Sequence, residues 1–257
     1  LDELADVAKE LDCWFHVDAA WGGATLFSER YRSKLAGIEK ADSVTIDAHK
    51  QMYVPMGAGM ALFKDPKHSN AVRHHAQYIL REGSKDLGAT TLEGSRNGMA
   101  MMVYSSLHIF GRRGYELLIN KCIELALEFA SMINAHPDFE LMTQPTLSLL
   151  TYRLRPRVLA NLEKMPKSEF KDINEKLDSL TVAVQKQQRE AGKSFVSRTR
   201  IEIAKYNDEV ITVFRVVLAN PLTTKEHLAS ILEEQVEIAK RQKKWLELST
   251  YSISQTA

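Results

Sequence analysis

The sequence predicts an α/β portion followed by a distinct α+β module, and three observations carry that expectation. Short apolar runs rich in β-formers, at Cys13–Val17, Ser43–Ile46 and Gly57–Phe63, are spaced like the strands of an α/β unit with a buried, mainly parallel sheet. Beyond Pro137 the pattern changes to strand, strand, helix, strand, strand, helix. A chain of 257 residues with 44% hydrophobic and 26% charged residues is long and apolar enough to bury a sizeable core.

The first segment places Leu1, Leu4, Ala5, Ala8 and Leu11 on one helical face. CWFHV follows as a strand, and Ala20 to Gly23 as a glycine-containing loop. SVTI and the run from Gly57 to Phe63 supply two more strands. Leu80 to Thr91, with Gly83, Ser84, Gly88 and several charges, reads as a mobile loop. Met99 to Phe110 is apolar and helical in character, its methionines reading as core. A long helix runs from about Tyr115 to Ile133 and stops near Pro137. FELMT and LSLLTYR read as strands, and Phe170, Ile173, Leu177, Leu180 and Val184 mark an amphipathic helix. FVSRTRIEI and VITVFRVVL are two further strands, and the last helix opens at Thr223 with Glu226 as a capping box. The domain expectation is therefore residues 1–136 and residues 137–257.

Composition excludes several classes of partner. Lys plus Arg number 34 against 33 for Asp plus Glu, a net charge of +1, so no excess announces nucleic acid or a membrane surface. The basic run Lys240, Arg241, Lys243, Lys244 reads as a solvated last turn. Two cysteines, Cys13 and Cys122, make neither a disulfide framework nor a four-thiolate site, which suits a reducing cytoplasm. No apolar stretch approaches the about 20 residues of a membrane span, and the acidic, amphipathic LDELADVAKELD is unlike a signal peptide.

Two segments carry candidate chemistry. His16-Val17-Asp18-Ala19-Ala20 leaves the end of the first strand, where α/β sheets present functional groups. Asp18 is either such a group or the cap of a turn. Ser43 to Lys50 runs off the second strand, and a lysine in a cleft there is a nucleophile for carbonyl compounds. Taken alone, His49-Lys50 reads as an ordinary exposed loop, and the combination with Asp18 changes that. Together, the aspartate, the lysine and the small residues Ala19, Ala20, Gly22 and Gly23 match the needs of pyridoxal phosphate. The lysine forms a Schiff base with its aldehyde, and a carboxylate keeps the pyridine nitrogen protonated. The rival is a metal site on His16, Asp18, His49 and His74 or His75, but no further ligand shows metal-site spacing.

HVDAAWGG, ADSVTIDAHK and VPMGAGMALF, continued by GRRGYE and FRVVLANP, resemble the group II pyridoxal-phosphate-dependent amino-acid decarboxylases. The resemblance implies the large-domain portion of a fold-type-I enzyme followed by its C-terminal small domain. It implies that Lys50 is the Schiff-base lysine and that Asp18 pairs with the pyridine nitrogen. Ala20 would pack on the ring and His49 would lie near the phosphate. The family often has asparagine where this chain has Asp47, and a carboxylate beside a phosphate is repulsive unless protonated or turned away. Asp47 is therefore not carried over. The family's mobile loop commonly supplies a tyrosine that reprotonates the product; Gly83 to Thr91 has none, which leaves Tyr78, another residue or a part of the parent enzyme outside this chain for that task.

Arg215, between Val213 and Val217 in a strand, would reach a sheet edge or an internal partner on sequence grounds alone. The family's matching arginine grips the substrate carboxylate, a task suited to a guanidinium. The resemblance begins within the family's large domain, so the chain is expected to be the C-terminal part of a homodimeric parent enzyme. The expected reaction is decarboxylation of an acidic amino acid, glutamate or aspartate. The alternatives are a carbon–carbon lyase or transaminase of the same fold, or a non-catalytic interaction module.

Overall fold

A computed structural model describes residues 1–73, 87–91 and 96–251. These form two compact units, Leu1–Asn120 and Lys121–Ala257.

In the first unit, helix α1 (Asp2–Glu10) leads to strand β1 (His16–Asp18). Strands β2 (Ser43–Asp47) and β3 (Gly59–Phe63) complete a sheet of order β1-β2-β3. Expectation and structure differ in the sheet's direction: β1 and β2 are parallel, but β3 returns antiparallel to β2. The connection of residues 48–58 is too short for the crossover that a parallel neighbour needs. The register His16↔Ser43, Val17↔Val44, Asp18↔Thr45 sends His16, Asp18, Ser43 and Thr45 to one face. Val17 and Val44 go to the other, where Ala19, Ala41, Phe15, Ile38 and Ile46 pack with them. The apolar stripe of α1 behaves otherwise than its pattern suggests. Only Ala5 is buried, and Leu4 and Leu11 are exposed.

Helix α2 (Met99–Ala135) is interrupted at Gly111, whose φ of 57° and ψ of −178° are not helical. Its first stretch corrects the core assignment of the methionines, because Met101 and Met102 are exposed. The expected division near residue 137 coincides with the end of this helix, whereas the compact units divide within it. The physical reason is that Leu125, Ala126, Phe129, Ala130 and Ile133 already belong to the core of the second unit.

The second unit has the expected element order. Strands β4 (Phe139–Thr143) and β5 (Leu149–Leu154) precede helix α3 (Lys167–Ala191). Strands β6 (Ser197–Ile203) and β7 (Glu209–Val217) precede helices α4 (Lys225–Lys240) and α5 (Lys243–Ser249). The sheet is antiparallel, in the order β4-β5-β7-β6. Phe170, Ile173, Leu177, Leu180 and Val184 of α3 are all buried in its core, as their spacing requires. The cap of α4 sits one residue later than expected: Thr224, not Thr223, accepts from the N–H of His227, and His227 closes the box in place of Glu226. Lys240, Arg241, Lys243 and Lys244 are exposed where α4 ends and α5 begins.

One charge cluster decides how this core closes. Arg153 on β5 is fully buried, and its guanidinium lies 3.0 Å from Glu140 on β4. Glu140 also accepts from Tyr206 at 2.6 Å and from Lys205 at 2.9 Å, while Arg153 donates to Asn174 at 2.9 Å. Burial pushes the Glu140 carboxyl up, but Arg153, Tyr206, Lys205 and Arg155 outweigh it and hold the group down at about 2. Glu140 thus contributes stability that is complete above the ordinary carboxylate value of 4.5 and is lost as pH falls toward 2. The amount is about 3 kcal/mol. Replacing Glu140 by glutamine leaves Arg153 buried without its counter-charge, and urea unfolding at neutral pH should register a loss of about 3–5 kcal/mol. The same variant should lose the acid dependence between about pH 4.5 and 2 that is expected of the parent chain.

Candidate active site

The parallel pairing of β1 and β2 brings their carboxyl ends to one edge of the sheet. The ladder continues beyond β1, with the N–H of Ala19 donating to Thr45 O at 3.0 Å and that of Asp47 to Ala20 O at 3.2 Å. The Asp18 carboxylate is exposed and accepts from the Ala20 N–H at 3.0 Å, so it closes a short turn and still faces outward. The turn-capping reading describes this contact, and it uses one oxygen only, which leaves the other free of it.

Past β2 the chain folds into a turn, with the Lys50 N–H donating to Asp47 O at 3.0 Å. This turn directs both side chains together: Lys50 Nζ lies 2.7 Å from Asp47 Oδ2. His49 Nε2 is 3.7 Å from the same oxygen. The imidazole is held from its other side, where Nδ1 meets Ala58 O at 3.1 Å. A carbonyl only accepts, so Nδ1 carries the hydrogen. Asp47 and His49 side chains are each 18% exposed and Lys50 is 35% exposed, which leaves the lysine as the most accessible of the three. Sequence reasoning set Asp47 aside; the spacing of three residues to Lys50 was the available signal, because a turn brings such a pair together. Its carboxylate is turned to the lysine.

The small residues divide into two groups. Gly23 is buried, and a Cβ there would come within 2.7 Å of the Ile46 side chain, so its smallness serves packing of the segment on β2. Ala19 is likewise buried. Ala20 and Gly22 are partly exposed and keep the edge open beside Asp18.

His16, a member of the metal alternative, is engaged at both nitrogens, with Ser43 Oγ at 2.8 Å and Thr45 Oγ1 at 3.3 Å. Among the described residues no group of three or more His, Cys, Asp and Glu side chains is placed to hold a metal. His74, His75, Tyr78 and most of the expected loop, residues 80–86, lie outside the described residues. No described helix is long and apolar enough to cross a membrane. Arg215 belongs to the other unit. It is exposed near the end of β7, its backbone carbonyl accepting from Ser197 Oγ at 2.6 Å, and its guanidinium forms no ion pair among the described residues.

The donor set fits pyridoxal phosphate. A primary amine and an outward carboxylate follow the carboxyl ends of two paired parallel strands, with the small Ala20 and Gly22 partly exposed after the first. Comparison with known proteins agrees. Residues 1–155 match the model of the pyridoxal-dependent decarboxylase conserved domain. Aspartate 1-decarboxylase of Aliivibrio fischeri is 60% identical over 240 residues, covering 93% of this chain and 44% of that protein. Aromatic-L-amino-acid decarboxylase of Bacillus atrophaeus is 29% identical over 238 residues, covering 90% of this chain and 46% of its own length. The crystal structure of mouse CSAD shares the fold with a TM-score of 0.81 at 24% identity, over 93% of this chain and 48% of that one. The chain thus spans less than half the length of the relatives it matches. With a family match over more than half its residues and the fold to go with it, the chain belongs to the pyridoxal-dependent decarboxylase family.

Proposed function

We propose that the chain is part of a pyridoxal-phosphate-dependent L-amino-acid decarboxylase acting on an acidic amino acid, with aspartate as the first candidate. The observation that carries this is the joint presence of Lys50 and Asp18 at the carboxyl ends of two parallel strands, in a chain of this family. The 60% identity to an aspartate 1-decarboxylase supports the choice of substrate. The same reading takes the working protein to be a cytoplasmic homodimer.

When bound, the cofactor supplies an electron sink for the pair left behind as carbon dioxide departs. Lys50 would supply the amine that holds the cofactor through its aldehyde. Asp18 would keep the pyridine nitrogen protonated, because a negative charge beside that nitrogen favours its charged form. Ala20 would offer a flat, low contact for the ring, and His49 would lie near the phosphate. Arg215 is the candidate cation for a substrate carboxylate, which a guanidinium grips by two parallel hydrogen bonds.

Two measurements test this reading on a polypeptide extended to the length of its relatives. Borohydride reduction after loading with pyridoxal phosphate, followed by peptide mapping, should place the pyridoxyl group on Lys50; a label on a different lysine refutes the assignment. Asp18→Asn preserves size and leaves an oxygen to accept from Ala20, so cofactor should still bind. Turnover should nevertheless fall by about a hundredfold or more, which corresponds to ~3 kcal/mol of transition-state stabilisation. Near-normal turnover in that variant removes Asp18 from the mechanism.

A further inference from the structure

We propose that Asp47 is a positioning residue that holds the Lys50 amine whenever that amine is not bonded to the cofactor. The proposal rests on the reading of Lys50 as the cofactor lysine and deepens it. Its basis is the 2.7 Å contact between Lys50 Nζ and Asp47 Oδ2, made within one turn. Lysine has four rotatable side-chain bonds and an ammonium that finds water readily, so a fixed position needs a fixed partner. Asp47 qualifies because its own carboxylate is confined. Its Oδ2 also faces His49 Nε2 at 3.7 Å, and that ring is tethered through Nδ1 to Ala58 O. Its other oxygen lies against β3, where Gly59 stands directly opposite Asp47 in the register. A Cβ on Gly59 would sit 3.2 Å from Asp47 Oδ1, closer than side chains normally approach. Glycine at this point leaves the carboxylate its place.

The surroundings contain few competitors. Gly59–Phe63 of β3 and the turn Gly22–Phe27 bring no titratable side chain. On β1, His16 is taken up by Ser43 and Thr45, and Asp18 accepts from Ala20 at the strand's end. Within its own turn Asp47 faces His49 and Lys50, with Tyr53 a few residues on. Lys50 is thus the cation that Asp47 holds in the cofactor-free chain. A lysine displaced by substrate would return to this position as an ammonium and be kept beside the reacting centre.

The test reads the amine directly, without turnover. In cofactor-free protein, acetic anhydride labelling at about pH 7.5, mapped peptide by peptide, measures the reactivity of Lys50 against other lysines as internal standards. Asp47→Asn should raise Lys50 labelling by about threefold, the range expected when a partly exposed ion pair is lost. Raising salt to about 1 M should speed labelling of the wild-type residue and leave the Asp47→Asn protein unchanged, because screening acts on the pair alone. Gly59→Ala retains every charge but crowds Asp47 Oδ1, and should give a rate between the other two. Equal Lys50 labelling in all three proteins, or a wild-type rate indifferent to salt, overturns the proposal. Reductive trapping in parallel separates this from failure of the underlying reading, since a pyridoxyl group on a different lysine overturns that reading whatever the labelling series returns.

Discussion

The parallel register of β1 with β2 is the constraint on which the candidate site depends. With Val17 opposite Val44, both valines face the small apolar cluster, and His16, Asp18, Ser43 and Thr45 share the polar face. A slip of one residue would reverse this for the whole strand, turning Asp18 toward Ile38, Ala41 and Ile46. The hydrophobic contacts of a three-residue strand therefore set where the Asp18 carboxylate points. The Ala19-to-Thr45 and Asp47-to-Ala20 hydrogen bonds extend that control beyond the strand end and tie the Asp18 turn to the Lys50 turn. Gly23 adds a steric condition, because only a residue without a side chain fits against Ile46 there.

Two carboxylates show how burial and partner number separate structure from chemistry. Glu140 is 7% exposed and surrounded by Arg153, Arg155, Lys205 and Tyr206. Its bonds run between β4, β5 and the turn at Ala204–Tyr206, so releasing any one would cost the fold. Asp47 holds a single ammonium in a site open to solvent, and that partner is on a flexible stem. An ion pair of this kind contributes little to stability. It is strong enough to orient an amine and weak enough to let it go. The same interaction type is structural in the second unit and, on the proposal made above, functional in the first.

The sequence was most legible where a period and its tertiary environment agree. The α3 stripe from Phe170 to Val184 is buried residue for residue, and the strand–helix order of the second unit follows from alternation and turn residues. It misled where a pattern needs a partner that the described residues do not provide: Leu4 and Leu11 of α1, and Met101 and Met102 of α2, carry apolar faces that stay exposed. The direction of β3 depended on the length of a connection, and the cap of α4 on which of two adjacent threonines turns inward. Arg153 was invisible because charge alone reads as surface. Glu140 on the neighbouring strand makes its burial possible, and cross-strand pairing of Glu140 with Arg153 is a register property. At the site, Asp18 and Lys50 were legible as strand-end residues, while the Asp47–Lys50 contact needed the turn.

Asp47 gives this departure from the family's frequent asparagine a physical meaning. A neutral amide can donate to a phosphate and cannot neutralise an ammonium; a carboxylate does the reverse. With aspartate here, the position is removed from the set of phosphate donors, and whatever grips the phosphate must do so without it. In return, the lysine acquires a counter-charge 2.7 Å away within its own turn. If Lys50 is the cofactor lysine, a defined place for its free amine spares the entropy of searching from bulk-like rotamer freedom. Gly59 fits the same logic, for a side chain there would press on the carboxylate that makes the arrangement work. Aspartate at position 47 thus gives the Lys50 ammonium a counter-charge, and the glycine across the strand leaves its carboxylate room.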